Sequence, residues 1–166
     1  MKYIFTLFFL TTCLFLFGQD NVLKEPTNSL SKFSLSISTF NHAEQIYNGI
    51  TTYDLTNDSL IIRKNFLNSE KETILLSKKI DSNSINEIKN IHLDNLKNFY
   101  FNYCIMPTSG TEYFITISTE TYNNKISLHH YYEKQIEILI NELNKLIPDN
   151  LKLQYLTKEI KQDCKM

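Results

Sequence analysis

From Phe33 onward, apolar and polar residues alternate: Phe33, Leu35 and Ile37 are separated by Ser34, Ser36 and Ser38. A period of two puts one kind of side chain on each face of an extended chain, so this segment predicts a half-buried strand. Tyr53 and Leu55, then Asn57-Asp58, then Leu60 and Ile62 predict a hairpin with a two-residue turn. In that register Leu55 faces Leu60 and Tyr53 faces Ile62, which gathers the apolar residues of both strands on one side. After the polar bend Asn68-Ser69-Glu70-Lys71, the alternate positions Ile74, Leu76 and Ile80 predict a fourth strand over residues 73–80.

The period then changes. Ile85, Ile88 and Ile91 recur behind Ser84 and Glu87, a Ser-x-x-Glu capping box that predicts a first helix. It runs toward Leu93 and Leu96, then into the aromatic stretch Phe99-Tyr100-Phe101-Asn102-Tyr103, before Pro107, Ser109 and Gly110 break the chain. Tyr113, Ile115 and Ile117, followed by Ile126, Leu128, His130 and Tyr132, predict a second hairpin. With Asn123-Asn124 as its turn, Ile117 faces His130, Ile115 faces Tyr132 and Thr119 faces Leu128. Ile136, Leu139, Ile140, Leu143, Leu146 and Ile147 form a helical stripe from about Glu133 that Pro148 ends. Leu151, Leu153 and Tyr155 suggest a short closing strand.

The expected fold is therefore α+β: an antiparallel sheet of about six or seven strands, in the order β-β-β-β-α-β-β-α-β, with two amphipathic helices packed on one face. Residues 32–156 form one domain, 19–31 a flexible leader and 157–166 a polar C-terminal tail.

The first eighteen residues have a different character. Met1-Lys2 supplies a minimal positive region, and residues 3–17 are apolar apart from Thr6, Thr11, Thr12 and Cys13. This run is too short to cross the ~30 Å hydrocarbon layer, which needs ~20 apolar residues. It reads as a signal peptide, 1–18, cut after Gly18, so the protein is expected to be exported, periplasmic or secreted, with no membrane span after removal. The alternative is a lipoprotein acylated at Cys13. Cleavage leaves about 148 residues, one domain by length and enough for a core.

Charge narrows the partners. Lys+Arg 17 against Asp+Glu 18 gives a net charge of -1, and Arg63 is the only arginine, which argues against nucleic acid. Of three cysteines, Cys13 leaves with the signal. Cys104 and Cys164 are then candidates for a disulfide, the alternative being a buried Cys104 thiol and a loose Cys164.

Candidate chemistry is sparse. A chain with three glycines has no Gly-x-Ser-x-Gly elbow, phosphate loop or dinucleotide fingerprint, and no cofactor is implied. His129 and His130, adjacent on a strand, point to opposite faces and cannot chelate one ion together. His130 falls on the apolar face as a core or core-rim histidine with one hydrogen bond, whereas His129 is a solvated residue beside Ser127 and Tyr131. His42 in a loop and His92 at a helix end lack the close spacing of a metal site, so no metal is expected. In the aromatic stretch, some of which must fill core, alternation sends Phe99, Phe101 and Tyr103 one way and leaves Tyr100 outward, the favoured alternative being that Tyr100 packs under a loop. Tyr100, His129 and Tyr131 are thus the candidate binding residues.

Three segments, Phe17-Gly18-Gln19, Leu96-Lys97-Asn98-Phe99-Tyr100-Phe101-Asn102 and Ile140-Asn141-Glu142-Leu143-Asn144-Lys145-Leu146-Ile147-Pro148, resemble those of small uncharacterised exported proteins of Bacteroidota. The resemblance implies location and fold and brings no active site. Ser109 stands before Gly110 where those proteins often carry an aspartate, which removes one functional carboxylate. The expected function is a noncatalytic exported binding or structural module of the cell envelope, engaging a protein or envelope component through the open sheet face or the aromatic loop. The alternative is a small extracytoplasmic hydrolase built around His42, His129 and Cys104.

Overall fold

A computed structural model describes residues 32–44, 49–66 and 71–164. The expected signal peptide, its cut, Cys13, the leader and most of the bend at 68–71 lie outside the described residues. The fold is α+β. Strands β1 (Ser34–Asn41), β2 (Ile50–Thr56), β3 (Ser59–Asn65), β4 (Glu72–Lys79), β5 (Phe99–Phe101), β6 (Thr111–Ser118) and β7 (Asn123–His129) form one seven-stranded sheet in the order β4-β3-β2-β1-β6-β7-β5. Helices α1 (Asn86–Lys89) and α2 (Lys134–Lys145) follow β4 and β7.

The first hairpin takes the expected register, with Tyr53 opposite Ile62 and Leu55 opposite Leu60. Side-chain hydroxyls tighten its turn, Thr56 Oγ1 accepting the Ser59 N–H at 3.1 Å. One face of the sheet contributes Leu35, Ile37, Tyr53, Leu55, Leu60, Ile62, Tyr113, Ile115, Ile117, Ile126 and Leu128 to a single buried cluster. The helices cover this face through Ile88 of α1 and Ile136, Leu139, Ile140 and Leu143 of α2, the stripe that the sequence predicts. The opposite face carries no helix among the described residues, and is referred to below as the open face.

Several expectations need correction. The sheet is mixed, not purely antiparallel, because Phe99–Phe101 is a strand and pairs parallel to β7. Its partners Ser127, Leu128 and His129 put Tyr100 on the core side and Phe99 and Phe101 on the open face, the reverse of the expected orientation. The second hairpin turns at 119–122, not at Asn123-Asn124, so Tyr113 faces Leu128, Ile115 faces Ile126 and Ile117 faces Asn124. Here Thr119 organises the loop: its Oγ1 accepts the Tyr122 N–H at 3.1 Å and its own N–H donates to the Tyr122 carbonyl at 2.8 Å.

The first helix is a single turn without a side-chain cap, preceded by a 3-10 turn over Ser82–Ile85 that Asp81 caps by accepting the Asn83 N–H; the Ser84-Glu87 box does not form. The topology explains its shortness. Residues 81–98 must carry the chain from one sheet edge to the other, six strand spacings or about 29 Å. Eighteen residues in a helix would rise only about 27 Å, leaving nothing for the climb over the core, so much of the connection is extended. Lastly, Leu151, Leu153 and Tyr155 form no strand: residues 149–151 make a 3-10 turn. The backbone of Leu153 is instead paired by Asn144 of α2, whose side chain accepts its N–H and donates to its carbonyl, each at 2.9 Å.

A bulge modifies the fourth strand. Ile62 pairs with Leu76 but Arg63 with Ile74, which leaves Leu75 as the extra residue and turns Ile74 away from the core. Ile74 is accordingly exposed on the edge strand.

Candidate functional site

The sheet neighbours β1, β6 and β7 carry the site. Phe40 pairs with Glu112 and Asn41 with Thr111, while Glu112 pairs with His129. His42 lies one residue past the β1 strand, and its N–H continues the ladder to the Gly110 carbonyl at 2.9 Å. Paired residues share a face and alternate residues return to it, so His42, Glu112 and His129 form a row on the open face.

One ligand atom from each of the three lies within 4.8 Å of the other two. His42 Nε2 is 3.3 Å from Glu112 Oε1. His42 and Glu112 are half-buried, whereas His129 is buried at 3% exposure, contrary to the solvated placement expected for it. Two groups distant in sequence cover His129. The Phe101 ring stacks on the imidazole with centroids 4.4 Å apart and planes 12° apart. The Pro107 carbonyl meets Nε2 at 3.1 Å, and because a carbonyl only accepts, Nε2 is the nitrogen that carries the proton. Nδ1 of the neutral ring then holds a lone pair, and it is buried without a hydrogen-bond partner. His42 receives the Phe40 ring edge-on at 4.8 Å.

The loop over His129 is fastened from below. Asn102, 1% exposed, accepts the Cys104 N–H at 2.9 Å and donates to the His130 carbonyl at 3.0 Å. Cys104 is joined by a disulfide to Cys164, and Gln162 bonds the backbone N–H and carbonyl of Tyr132, so the tail is tied to the domain. With Cys104 in that bond, the oxidised protein has no thiol there to serve the His42, His129 and Cys104 nucleophile arrangement.

His130 is half-buried with one hydrogen bond, at the rim and not fully within the core, as one of the two expected placements has it. It leaves the strand with φ at 42°, and its Nδ1 accepts the Thr111 N–H at 3.2 Å. Burial, and secondarily the neighbouring His129, hold its pKa below the usual imidazole value. Gly110, with φ at 85°, lies so close that a Cβ there would sit 2.8 Å from the His130 ring, which explains glycine at this point.

Tyr100 and Tyr131 do come together, their rings 5.2 Å apart, in a cleft that Phe99, Phe101, Tyr103 and Gln162 also line. Both tyrosines pack against the core instead of pointing freely outward, and burial raises the pKa of Tyr100. Other aromatics of this region are exposed: Phe99 at 60%, Tyr103 at 49% and, on β6, Phe114 at 45%. Phe114 pairs with Ser38 and Ser127, which places it on the open face beside Phe99. His92 is exposed after α1 and does not join the histidine group.

Glu112, Phe114 and the true orientation of Phe99 are what sequence reasoning misses. A turn at 119–122 would have revealed the first two, since it sets Glu112 opposite His129 and Phe114 opposite Ser127. No helix among the described residues is long and apolar enough to cross a membrane. No protein-family model matches the chain, and no curated protein matches it significantly.

Proposed function

We propose that the protein is a noncatalytic exported binding module that engages a protein or envelope component through the aromatic end of its open sheet face. The observation that carries this reading is the group of exposed rings, Phe99 and Phe114 on either side of Ser127 on the open face and Tyr103 in the turn after β5, where no helix covers the sheet among the described residues. Exposed aromatic side chains that cost little ordering entropy are the usual anchors of recognition surfaces. Phe99 and Phe101 stack with centroids 6.1 Å apart, and Phe101 meets Tyr103 at 5.1 Å, so the rings brace one another.

Export is supported by the apolar segment 3–17 behind Met1-Lys2, by the likeness to small exported Bacteroidota proteins, and by the Cys104–Cys164 disulfide, a bond that persists in oxidising compartments. The near-neutral charge with one arginine gives no support to nucleic acid as a partner.

Capture from envelope extracts at physiological salt tests the reading. Wild-type protein should retain a partner that the double variant Phe99→Ser, Tyr103→Ser loses at least tenfold, on the scale of aromatic hot spots, about 2 kcal/mol or more each. Ile138→Ser, at an exposed position of α2 on the other layer, should capture as wild type does. Equal capture by wild type and the double variant, or no capture by either, contradicts it.

A further inference from the structure

The geometry points to a mononuclear binding site for a first-row divalent cation of borderline softness, zinc being the representative, held by His42, Glu112 and His129; we propose this as a site independent of the aromatic surface.

The donor set is two imidazoles and one carboxylate, from the turn that ends β1 and from the adjacent strands β6 and β7. Nitrogen-rich sites of this kind suit zinc and its neighbours, whereas calcium and magnesium demand oxygen shells. Bonds of about 2.0–2.2 Å in a tetrahedral arrangement set neighbouring ligand atoms about 3.3 Å apart. His42 Nε2 and Glu112 Oε1 already stand at 3.3 Å, and the full set spans no more than 4.8 Å, so closure on an ion needs only side-chain adjustment.

His129 supplies the second, independent observation. A buried ring nitrogen with a lone pair and no hydrogen-bond partner is unfavourable, by roughly 1–3 kcal/mol, unless something occupies it. Meanwhile the opposite nitrogen donates to the Pro107 carbonyl, the outer contact that fixes tautomer and ring orientation in metal-bound histidines. The Phe101 ring stacked on His129 and the Phe40 ring against His42 restrict rotation and water on two sides. Three protein ligands leave one position for water or for a donor atom of a bound partner.

Competition against a chromophoric zinc chelator tests the site on the purified, disulfide-bonded protein, where neither Cys104 nor Cys164 is free to bind metal. Wild type should take up one equivalent of zinc, undisturbed by excess magnesium or calcium. His42→Ala and Glu112→Gln should each weaken uptake at least about a hundredfold, beyond the 10–100-fold produced by losing an outer contact. Both positions are half-buried at a strand end, and far-UV circular dichroism should match wild type. His92→Ala, at an exposed histidine outside the group, should bind as wild type does. Failure of the wild type to compete for zinc, or unchanged affinity in His42→Ala and Glu112→Gln, overturns the assignment and leaves His42 and Glu112 as an ordinary ion pair.

Discussion

Replacing Cys104 and Cys164 together by serine is expected to lower the midpoint of thermal unfolding by about 10–15 °C. The bridge spans 60 residues of sequence, and in the chain-entropy model a loop of that length contributes about 4 kcal/mol by restricting the unfolded chain. Unfolding entropy of about 2.1 cal/mol/K per residue over a domain of this size converts that figure into the stated shift. The bond joins the loop that follows β5 to the tail that follows α2, and the other anchors of that tail, such as the Gln162 bonds to Tyr132, are too few to replace it. Calorimetry of wild type and the double variant gives the answer directly. A shift under about 3 °C would mean that the tail is held equally well without the bridge or that the folded state stores compensating strain.

Asn102→Ala should destabilise the fold by about 2–5 kcal/mol, although it removes only an amide. The side chain is fully enclosed and serves as acceptor for Cys104 N–H and as donor to His130 C=O, so alanine strands two half-buried backbone groups at roughly 1–3 kcal/mol each. Asp should not rescue, because a carboxylate keeps the acceptor but cannot donate to the His130 carbonyl and adds a buried charge. Urea unfolding of the three proteins separates these effects. A loss below about 0.5 kcal/mol in Asn102→Ala would show that water reaches the loop and that Asn102 does not organise it.

The loop that Cys104 and Asn102 fasten marks where local pattern ceased to be informative. The first hairpin was legible to the residue because a two-residue turn fixes register locally and alternation on both strands agrees with it. α2 was legible because its stripe is long and one-sided. The second hairpin was not: Asn123-Asn124 has strong turn chemistry, yet Thr119 closes a four-residue loop with hydrogen bonds that spacing does not advertise. The register that follows differs by an even number of residues, so the core faces of β6 and β7 were still assigned correctly. Individual partners were lost, and with them the pairing of Glu112 with His129. Parallel pairing of three residues in β5 has no local signal at all, which concealed both the outward turn of Phe99 and the cover that Phe101 lays over His129. Rules based on close ligand spacing do not register this grouping for the same reason, since His42, Glu112 and His129 are gathered by strand order.

Strand register as the builder of the site is therefore the claim most in need of a direct look. Crystals grown with one equivalent of zinc and measured on both sides of the zinc absorption edge should give one strong anomalous peak on the open face, about 2.0–2.2 Å from His129 Nδ1, a ring nitrogen of His42 and a carboxylate oxygen of Glu112. A peak at other residues with this group left vacant, or no peak above background, would contradict it.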